Sequence, residues 1–298
     1  MSEFEGKVAV ITGAGGGLGR SHALELARRG AKVVVNDLGG NVDGSGAGDA
    51  ADLVVAEIRA AGGTAIANKS SVSDRAGAQQ IIQDAVDAFG TVDILVNNAG
   101  ILRDKTFKNM SLDEWDLVMQ VHMNGTAYVT HAAWPIMLAK NYGRIVVTSS
   151  GSGIYGNFGQ SNYGAAKMAM VGFANVLALE GASKNVRINV LAPAAATRMT
   201  ATVPGRTENV AAPDPARDPA RVTPAVIYMV SEDAPNGAII NAGMGKFYRT
   251  FILVNEGADL GAEADTESFM ANVEKIMDPA NPRPRSRLQR PAPAGEKR

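Results

Sequence analysis

The sequence predicts an α/β fold, a doubly wound parallel sheet carrying helices on both faces, and three observations lead there. Short β-branched runs alternate with helical segments from Lys7 to Pro193. That alternation argues for a parallel sheet with crossover helices on its two sides. The runs are short, apolar and bounded by turn residues, as buried strands are. A glycine-rich turn joins the first run to the first helix, and right-handed crossovers then complete the winding.

The elements follow in order. Lys7 to Gly13, KVAVITG, is the first strand; Arg20 to Arg29 has helical spacing and Gly30 stops it. Ala31 to Asp37 is the second strand, and Asp52 to Ala61 a helix halted by Gly62 and Gly63. Thr64 to Asn68 is the third strand, Ala76 to Phe89 the third helix, and Val92 to Gly100 the fourth strand. Leu112 to Leu138 reads as one long helix with Pro135 near its far end. Gly143 to Ser150 is a strand, Tyr163 to Leu179 a helix, and Val186 to Pro193 a sixth strand. Residues 201–224 are rich in Pro, Ala, Arg and Asp without a period. They are expected to be a flexible loop beyond a strand's C-terminal end, where ligand sites of such sheets lie. No internal repeat is apparent. The expected division is a sheet domain over 1–255, a helical extension over 256–278, and a disordered Pro- and Arg-rich tail over 279–298.

Composition narrows the function. The chain has 298 residues, enough for one large α/β domain or two small ones. A formal net charge of −1 gives no global attraction to nucleic acid. With no cysteine there is no disulfide, thiolate metal site or cysteine nucleophile, which fits a reducing compartment; a cytoplasmic location is expected. His22, His122 and His131 lack metal-ligand spacing, so no metal is expected. No apolar run is long enough to span a membrane, and the first residues do not resemble a signal peptide.

Two patterns carry chemistry. In TGAGGGLG, Thr12 to Gly19, the glycines permit a tight turn and close backbone approach, and the helix behind it offers free N–H groups to a pyrophosphate. Asp37 ends the second strand 18 residues after Gly19. A carboxylate there bonds the adenosine ribose hydroxyls and repels a 2′-phosphate, so NAD is expected over NADP. The second pattern is SNYGAAK. Helical positions four apart lie about 40° apart around the axis, so Tyr163 and Lys167 share a face. A free tyrosine has a pKa of about 10. A nearby ammonium and an oxidised nicotinamide both favour phenolate, and lowering the pKa by ~3 would take about 4 kcal/mol. That would bring a base for alcohol oxidation near working pH.

Together these residues resemble the short-chain dehydrogenase/reductases. The shared pattern is Thr12-Gly13, Gly17 and Gly19 in the turn, Asn97 to Gly100 as Asn-Asn-Ala-Gly, Ser150 thirteen residues before Tyr163, and Tyr163-xxx-Lys167. The resemblance runs from about Lys7 to Met199 and, less clearly, to about Phe251. It implies a Rossmann-type fold with Tyr163 as catalytic acid/base. Lys167 would bond the nicotinamide ribose and lower the tyrosine pKa. Ser150, rather than Ser149, would hold the reacting oxygen. Gly13, Gly17, Leu18, Gly19, Asp37, Ser71, Val72 and Asn98 would contact the adenosine and pyrophosphate side. Ala195, Ala196, Thr197 and Arg198, after Pro193, would contact the nicotinamide. The pattern departs at three points. His122 stands where the family often has a catalytic Asn, with Asn124 two residues on and around the helix; it could carry the same role or simply pack. Ala194 follows Pro193 in place of Gly, and Ser70 replaces an Asp after the third strand.

Longer segments, Asn36 to Gly40, Asn97 to Phe107, Ser152 to Lys167 and Leu177 to Asn185, are similar to one branch of the family. That branch is the (3R)-hydroxyacyl-CoA dehydrogenase unit of the peroxisomal multifunctional enzymes of type 2, also known as 17β-hydroxysteroid dehydrogenase type 4, with its stand-alone bacterial relatives. The resemblance implies NAD-dependent oxidation of a (3R)-3-hydroxyacyl-CoA, of fatty-acid or steroid side-chain origin, in a single-domain version. Steroid 17β-hydroxyl oxidation and 3-oxoacyl-carrier-protein reduction are the enzymatic alternatives, and a dinucleotide-sensing scaffold the non-enzymatic one. The C-terminal Glu-Lys-Arg is not a Ser-Lys-Leu-type peroxisomal address. Arg103 is a candidate for CoA phosphates, and Tyr155 and Phe158 for the acyl group. A homodimer or homotetramer through the Leu112–Leu138 and Tyr163–Leu179 helices is implied by the same resemblance.

Overall fold

The computed structural model describes residues 3–195 and 214–284. They fall into two compact units, Met1–Arg249 and Thr250–Arg298.

In the first unit, β1 (Val8–Thr12) leads into α1 (Gly17–Arg28), β2 (Lys32–Asn36), α2 (Ala50–Ala60), β3 (Thr64–Asn68), α3 (Arg75–Phe89) and β4 (Ile94–Asn97). Then come α4 (Leu112–Met119), a π-helical turn (Gln120–Asn124), α5 (Gly125–Lys140), β5 (Gly143–Thr148), α6 (Gly151–Tyr155), α7 (Ser161–Glu180) and β6 (Val186–Ala194). The unit closes with α8 (Thr223–Val230), β7 (Ile239–Gly243) and β8 (Lys246–Thr250).

The strand order is β3-β2-β1-β4-β5-β6-β7-β8. Each pairing from β3 to β7 is parallel, with Val10 facing Val34 on one side and Leu95 on the other. The chain therefore winds outward from β1 in both directions. Its crevice lies where β1 and β4 diverge, at their C-terminal ends. β8 returns beside β7 through Met244 and Gly245, both at positive φ (51° and 72°), as a two-residue hairpin turn demands.

Both sheet faces are buried, which explains the continuous apolar strands. Ala9, Ile11, Val33, Val35 and Val96 join the core shared with α1, α2 and α8. Val8, Val10, Val34, Leu95, Ile145 and Val147 join the core under α3, α5 and α7. α3 starts where Asp74 accepts from the Gly77 N–H at 2.7 Å and stops at Gly90, φ 84°. α4 opens with a capping box between Ser111 and Glu114.

The helix expected over Leu112–Leu138 contains the π turn, in which one extra residue is accommodated between α4 and α5. The strand expected over Val92–Gly100 pairs only from Ile94 to Asn97, because the following Asn-Ala-Gly turns away to build the crevice. The segment expected to lack a period holds a tandem Asp-Pro-Ala-Arg at 214–221. Each copy is a 3-10 turn: Asp214 accepts from Ala216 N–H at 2.9 Å, and Asp218 from Ala220 N–H at 2.8 Å. The proline in each copy supplies a preset φ, and the aspartate closes the turn. Residues 201–213 of that segment lie outside the described residues.

In the second unit β9 (Leu253–Val254) pairs antiparallel with β10 (Arg283–Pro284). α9 (Thr266–Ala271), capped by Asp265, leads into α10 (Val273–Met277). The Asn255 amide donates to Ile276 O at 2.8 Å and to Asp278 O at 2.7 Å. Among the described residues no helix is long and apolar enough to cross a membrane. The tail expected at 279–298 lies outside them from residue 285.

Candidate active site

A cavity of about 830 Å³ runs along the C-terminal ends of β1 to β6. At one end the β1–α1 turn is packed backbone on backbone. Gly13 sits at φ 63° and Gly17 at φ 51°. A Cβ on Gly13 would lie 2.8 Å from the Cα of Ala99, and one on Gly19 only 2.2 Å from the Gly13 carbonyl oxygen. The turn thus presses against α1 and leaves the helix N-terminus, uncapped by any side chain, facing the cavity through Gly16, Gly17 and Leu18. This is a cradle for a phosphate or pyrophosphate, and a nicotinamide dinucleotide fits the residues present. Asp37 lies just beyond it; its two carboxylate oxygens accept from Gly15 N–H and Gly39 N–H, each at 2.7 Å. Ser71 and Val72 line the same end, and Gly125 is small because a Cβ there would lie 2.9 Å from the Val72 side chain.

Asn98 lines the cavity, but its amide nitrogen is committed to Thr12 O at 3.1 Å and Gly13 O at 3.0 Å. Thr12 Oγ1 accepts in return from the Asn98 and Ala99 N–H groups, both at 3.1 Å. Asn98 is the brace that ties the end of β4 to the phosphate turn.

At the other end Ser150, Tyr163 and Lys167 converge. Ser150, in extended backbone at the start of α6, accepts from Ser152 N–H at 3.1 Å and hydrogen-bonds the Tyr163 phenol. Ser149 is turned away: buried, it donates to the Lys167 carbonyl at 2.7 Å and fastens α7 to the strand. The Tyr163 N–H donates to the Asn162 side chain at 2.7 Å, and the Asn162 amide reaches Arg103 O at 3.1 Å. The Lys167 Nζ donates to Thr148 O at 2.7 Å and lies 5.5 Å from the centre of the Tyr163 ring.

The expected acidification of Tyr163 is not found in these residues alone. Burial pushes the phenol up to about 12, outweighing the Ser150 hydrogen bond that favours phenolate, and the Asp104 carboxylate pushes the same way. Burial also pulls Lys167 down to about 7, so the ammonium that was to lower the tyrosine is itself held near neutrality.

His122 occupies the π turn. Its ring stands edge-on to Tyr163, centroids 5.2 Å apart at 86°. Nε2 lies 2.8 Å from Ile101 O and 3.1 Å from Ile101 N, while the buried Nδ1 meets no protein partner. Burial first, then the Lys167 charge, hold the imidazole well below its ordinary value, so it is neutral. Gly100 makes room for it; a Cβ there would lie 2.3 Å from Cε1. The Asn124 amide bonds Gln120 at 2.6 Å instead.

Pro193 and Ala195 line the cavity; Ala196, Thr197 and Arg198 lie outside the described residues. Tyr155 lines it, whereas Phe158 is 90% exposed and does not. Arg103 faces Asp43 at 4.0 Å and is not among the lining residues. Gln160 and Arg217 are among the lining residues that the sequence did not single out. Gln160, the residue before α7, donates to Asp104 at 2.6 Å and accepts from Asn157 at 2.8 Å. Arg217 arrives from the tandem repeat, which was itself the available signal.

A dinucleotide cradle at one end and a hydrogen-bonded Ser-Tyr with a buried lysine at the other define an oxidoreductase of the doubly wound α/β class. The chain belongs to the short chain dehydrogenase family, whose model matches residues 7–208; the family uses NAD or NADP. It is similar to a Mycobacterium tuberculosis protein named as a short-chain type dehydrogenase/reductase, 49% identical over 282 residues, covering 93% of this chain and 96% of that one. It is also similar to the peroxisomal multifunctional enzyme type 2 of Drosophila melanogaster. There the identity is 49% over 276 residues, 92% of this chain and 45% of that protein. The solved full-length Drosophila structure superposes with a TM-score of 0.78 over 95% of this chain, at 38% identity. This chain therefore spans about half the length of that enzyme. A 3-oxoacyl-[acyl-carrier-protein] reductase of Synechocystis is 42% identical over 201 residues, 67% of this chain and 78% of that one.

Proposed function

We propose that the chain oxidises (3R)-3-hydroxyacyl-CoA thioesters to 3-oxoacyl-CoA with NAD. The observation carrying this reading is the pairing of Asp37 at one end of the cavity with Ser150, Tyr163 and Lys167 at the other. The similarity to the multifunctional enzymes supplies the substrate class. Bound in the cradle, the coenzyme would supply a hydride acceptor. As phenolate, the form that a bound oxidised nicotinamide would favour, Tyr163 takes the proton of the 3-hydroxyl as hydride leaves C3, so one proton and one hydride depart, a ketone remains and the phenol is restored. Ser150 donates to the reacting oxygen and holds it against the phenol, an interaction that strengthens as charge develops. Lys167 would bond the nicotinamide ribose, and its charged form would favour the phenolate beside it. Asp37 would accept from the adenosine ribose and would repel a 2′-phosphate. His122 is a positioning residue that fixes the tyrosine ring. Two subunits, or four, associate through α4–α5 and α7.

The Synechocystis relative favours a second reading, reduction of a 3-oxoacyl-carrier protein with NADPH. Turnover measured with NAD and NADP against (3R)- and (3S)-3-hydroxyacyl-CoA of several chain lengths, with a 17β-hydroxysteroid alongside and NADPH tested on a 3-oxoacyl-carrier protein, separates the readings. NAD-dependent turnover of the (3R) thioester is expected. Activity confined to NADPH and acyl-carrier protein, or to the steroid, would overturn the proposal.

A further inference from the structure

The tandem Asp-Pro-Ala-Arg presents two arginines in equivalent local geometry and opposite surroundings. Arg217 N–H donates to Asp214 O and Arg221 N–H to Asp218 O, each at 2.9 Å, so each arginine ends its own 3-10 turn. Arg217 is half-buried and lines the cavity; Arg221 is exposed and does not.

The repeat is held on the coenzyme helix. The second turn, Pro219–Arg221, packs on α1. Two residues later Thr223 Oγ1 lies 2.7 Å from Ser21 Oγ and 2.9 Å from His22 Nδ1. Ser21 and His22 sit about one turn beyond Gly17 and Leu18, the residues of the phosphate cradle. The first turn, whose Arg217 lines the cavity, directly precedes this anchored turn.

Charge points the same way. Among the described residues lining the cavity the cationic side chains are Arg217 and Lys167. Lys167 lies at the tyrosine end, where its Nζ donates to Thr148 O. A guanidinium is charged at every working pH and pairs in a fork with phosphate oxygens. The α1 N-terminus supplies backbone donors, but no side-chain charge, to two phosphates.

We propose that Arg217 is an anion ligand of this site and that it binds the pyrophosphate of the dinucleotide, completing from the segment after β6 the cradle begun by the β1–α1 turn. This rests on the reading of the cavity as a dinucleotide site, not on the identity of the substrate. The same phosphate-ester chemistry is present in coenzyme A, and the test separates the two sources.

Calorimetry on the full chain compares wild type with Arg217→Ala, Arg217→Lys and Arg221→Ala, using ADP-ribose and adenosine as probes. Steady-state kinetics compares a 3-hydroxyacyl-CoA with the same acyl group on N-acetylcysteamine, which lacks the CoA phosphates. Losing one charge-assisted contact should raise the ADP-ribose Kd about 10-fold or more in Arg217→Ala. Arg217→Lys should restore part of it, Arg221→Ala should match wild type, and adenosine should bind all four alike. The salt dependence of ADP-ribose binding should also flatten in Arg217→Ala. An ADP-ribose Kd within twofold of wild type overturns the proposal. So does a KM rise confined to the CoA thioester, which would assign Arg217 to CoA. Should Arg217→Ala not fold, Arg217→Gln and the salt dependence of wild type carry the test. Absence of acyl-CoA turnover with the ADP-ribose effect intact refutes the substrate reading alone; absence of ADP-ribose binding in wild type refutes both.

Discussion

Replacing Lys167 by Met should abolish catalysis and stabilise the coenzyme-free protein, by an amount that shrinks as pH rises. The buried lysine titrates at about 7 instead of 10.5. Its charged form is thus disfavoured in the folded state by about 5 kcal/mol. Below pH 7 both states carry the proton and that whole cost opposes folding. Between 7 and 10.5 the unfolded chain keeps a proton that the folded chain has shed, so stability rises with pH by about 1.4 kcal/mol per pH step. At pH 9 about 2 kcal/mol of the cost remains. Methionine removes the charge but also the hydrogen bond to Thr148 O, a loss of about 1 kcal/mol. The variant should therefore exceed wild type by about 3–4 kcal/mol at pH 6 and by about 1 kcal/mol at pH 9. Urea unfolding of both proteins at pH 6, 7.5 and 9 measures this. A constant difference, or a variant less stable than wild type at pH 6, would show that Lys167 is not held near neutrality, and the reasoning from burial would fail.

The two adjacent serines should separate. Ser150→Ala should lower kcat by about 10²–10³ with little change in melting temperature. Ser149→Ala should leave kcat within a few-fold and cost about 1–2 kcal/mol, since the buried Lys167 carbonyl loses its donor; reversed effects would reassign the oxygen ligand. Gly19→Ala should destabilise even though alanine favours a helix interior by about 1 kcal/mol. Its Cβ would fall 2.2 Å from the Gly13 carbonyl, so the turn must open at a cost of about 1–3 kcal/mol, and dinucleotide binding should weaken with it. A rise in melting temperature would mean the cradle is looser than described.

What the sequence revealed and what it concealed have physical causes. Strands β1 to β6 were legible because each is a short, mostly apolar run bounded by turn residues, with its apolar side chains in the core on one face of the sheet or the other. Asp37, Ser150, Tyr163 and Lys167 were legible because strand ends and one helical repeat fix their spacing. The π turn at Gln120–Asn124 was not, since a local excess of one residue leaves the hydrophobic pattern of a long helix nearly intact. α6 was missed because Gly-Ser-Gly reads as loop; Ser150 creates the helix by accepting the Ser152 N–H. The partners of Asn98 depend on a contact between chain segments 85 and 86 residues apart. The direction of the Tyr163 pKa followed from burial in a tertiary cavity, which spacing four apart does not report.

The central claim is that the Tyr163 phenol carries the proton of the oxidised hydroxyl. It is tested most directly by NADH formation from a (3R)-3-hydroxyacyl-CoA in wild type and Tyr163→Phe, with NAD affinity measured on both. Loss of one oxygen atom should cut kcat by about 10²–10⁴ while NAD binds within a few-fold of wild type. A Tyr163→Phe enzyme retaining a tenth or more of wild-type turnover would contradict the account.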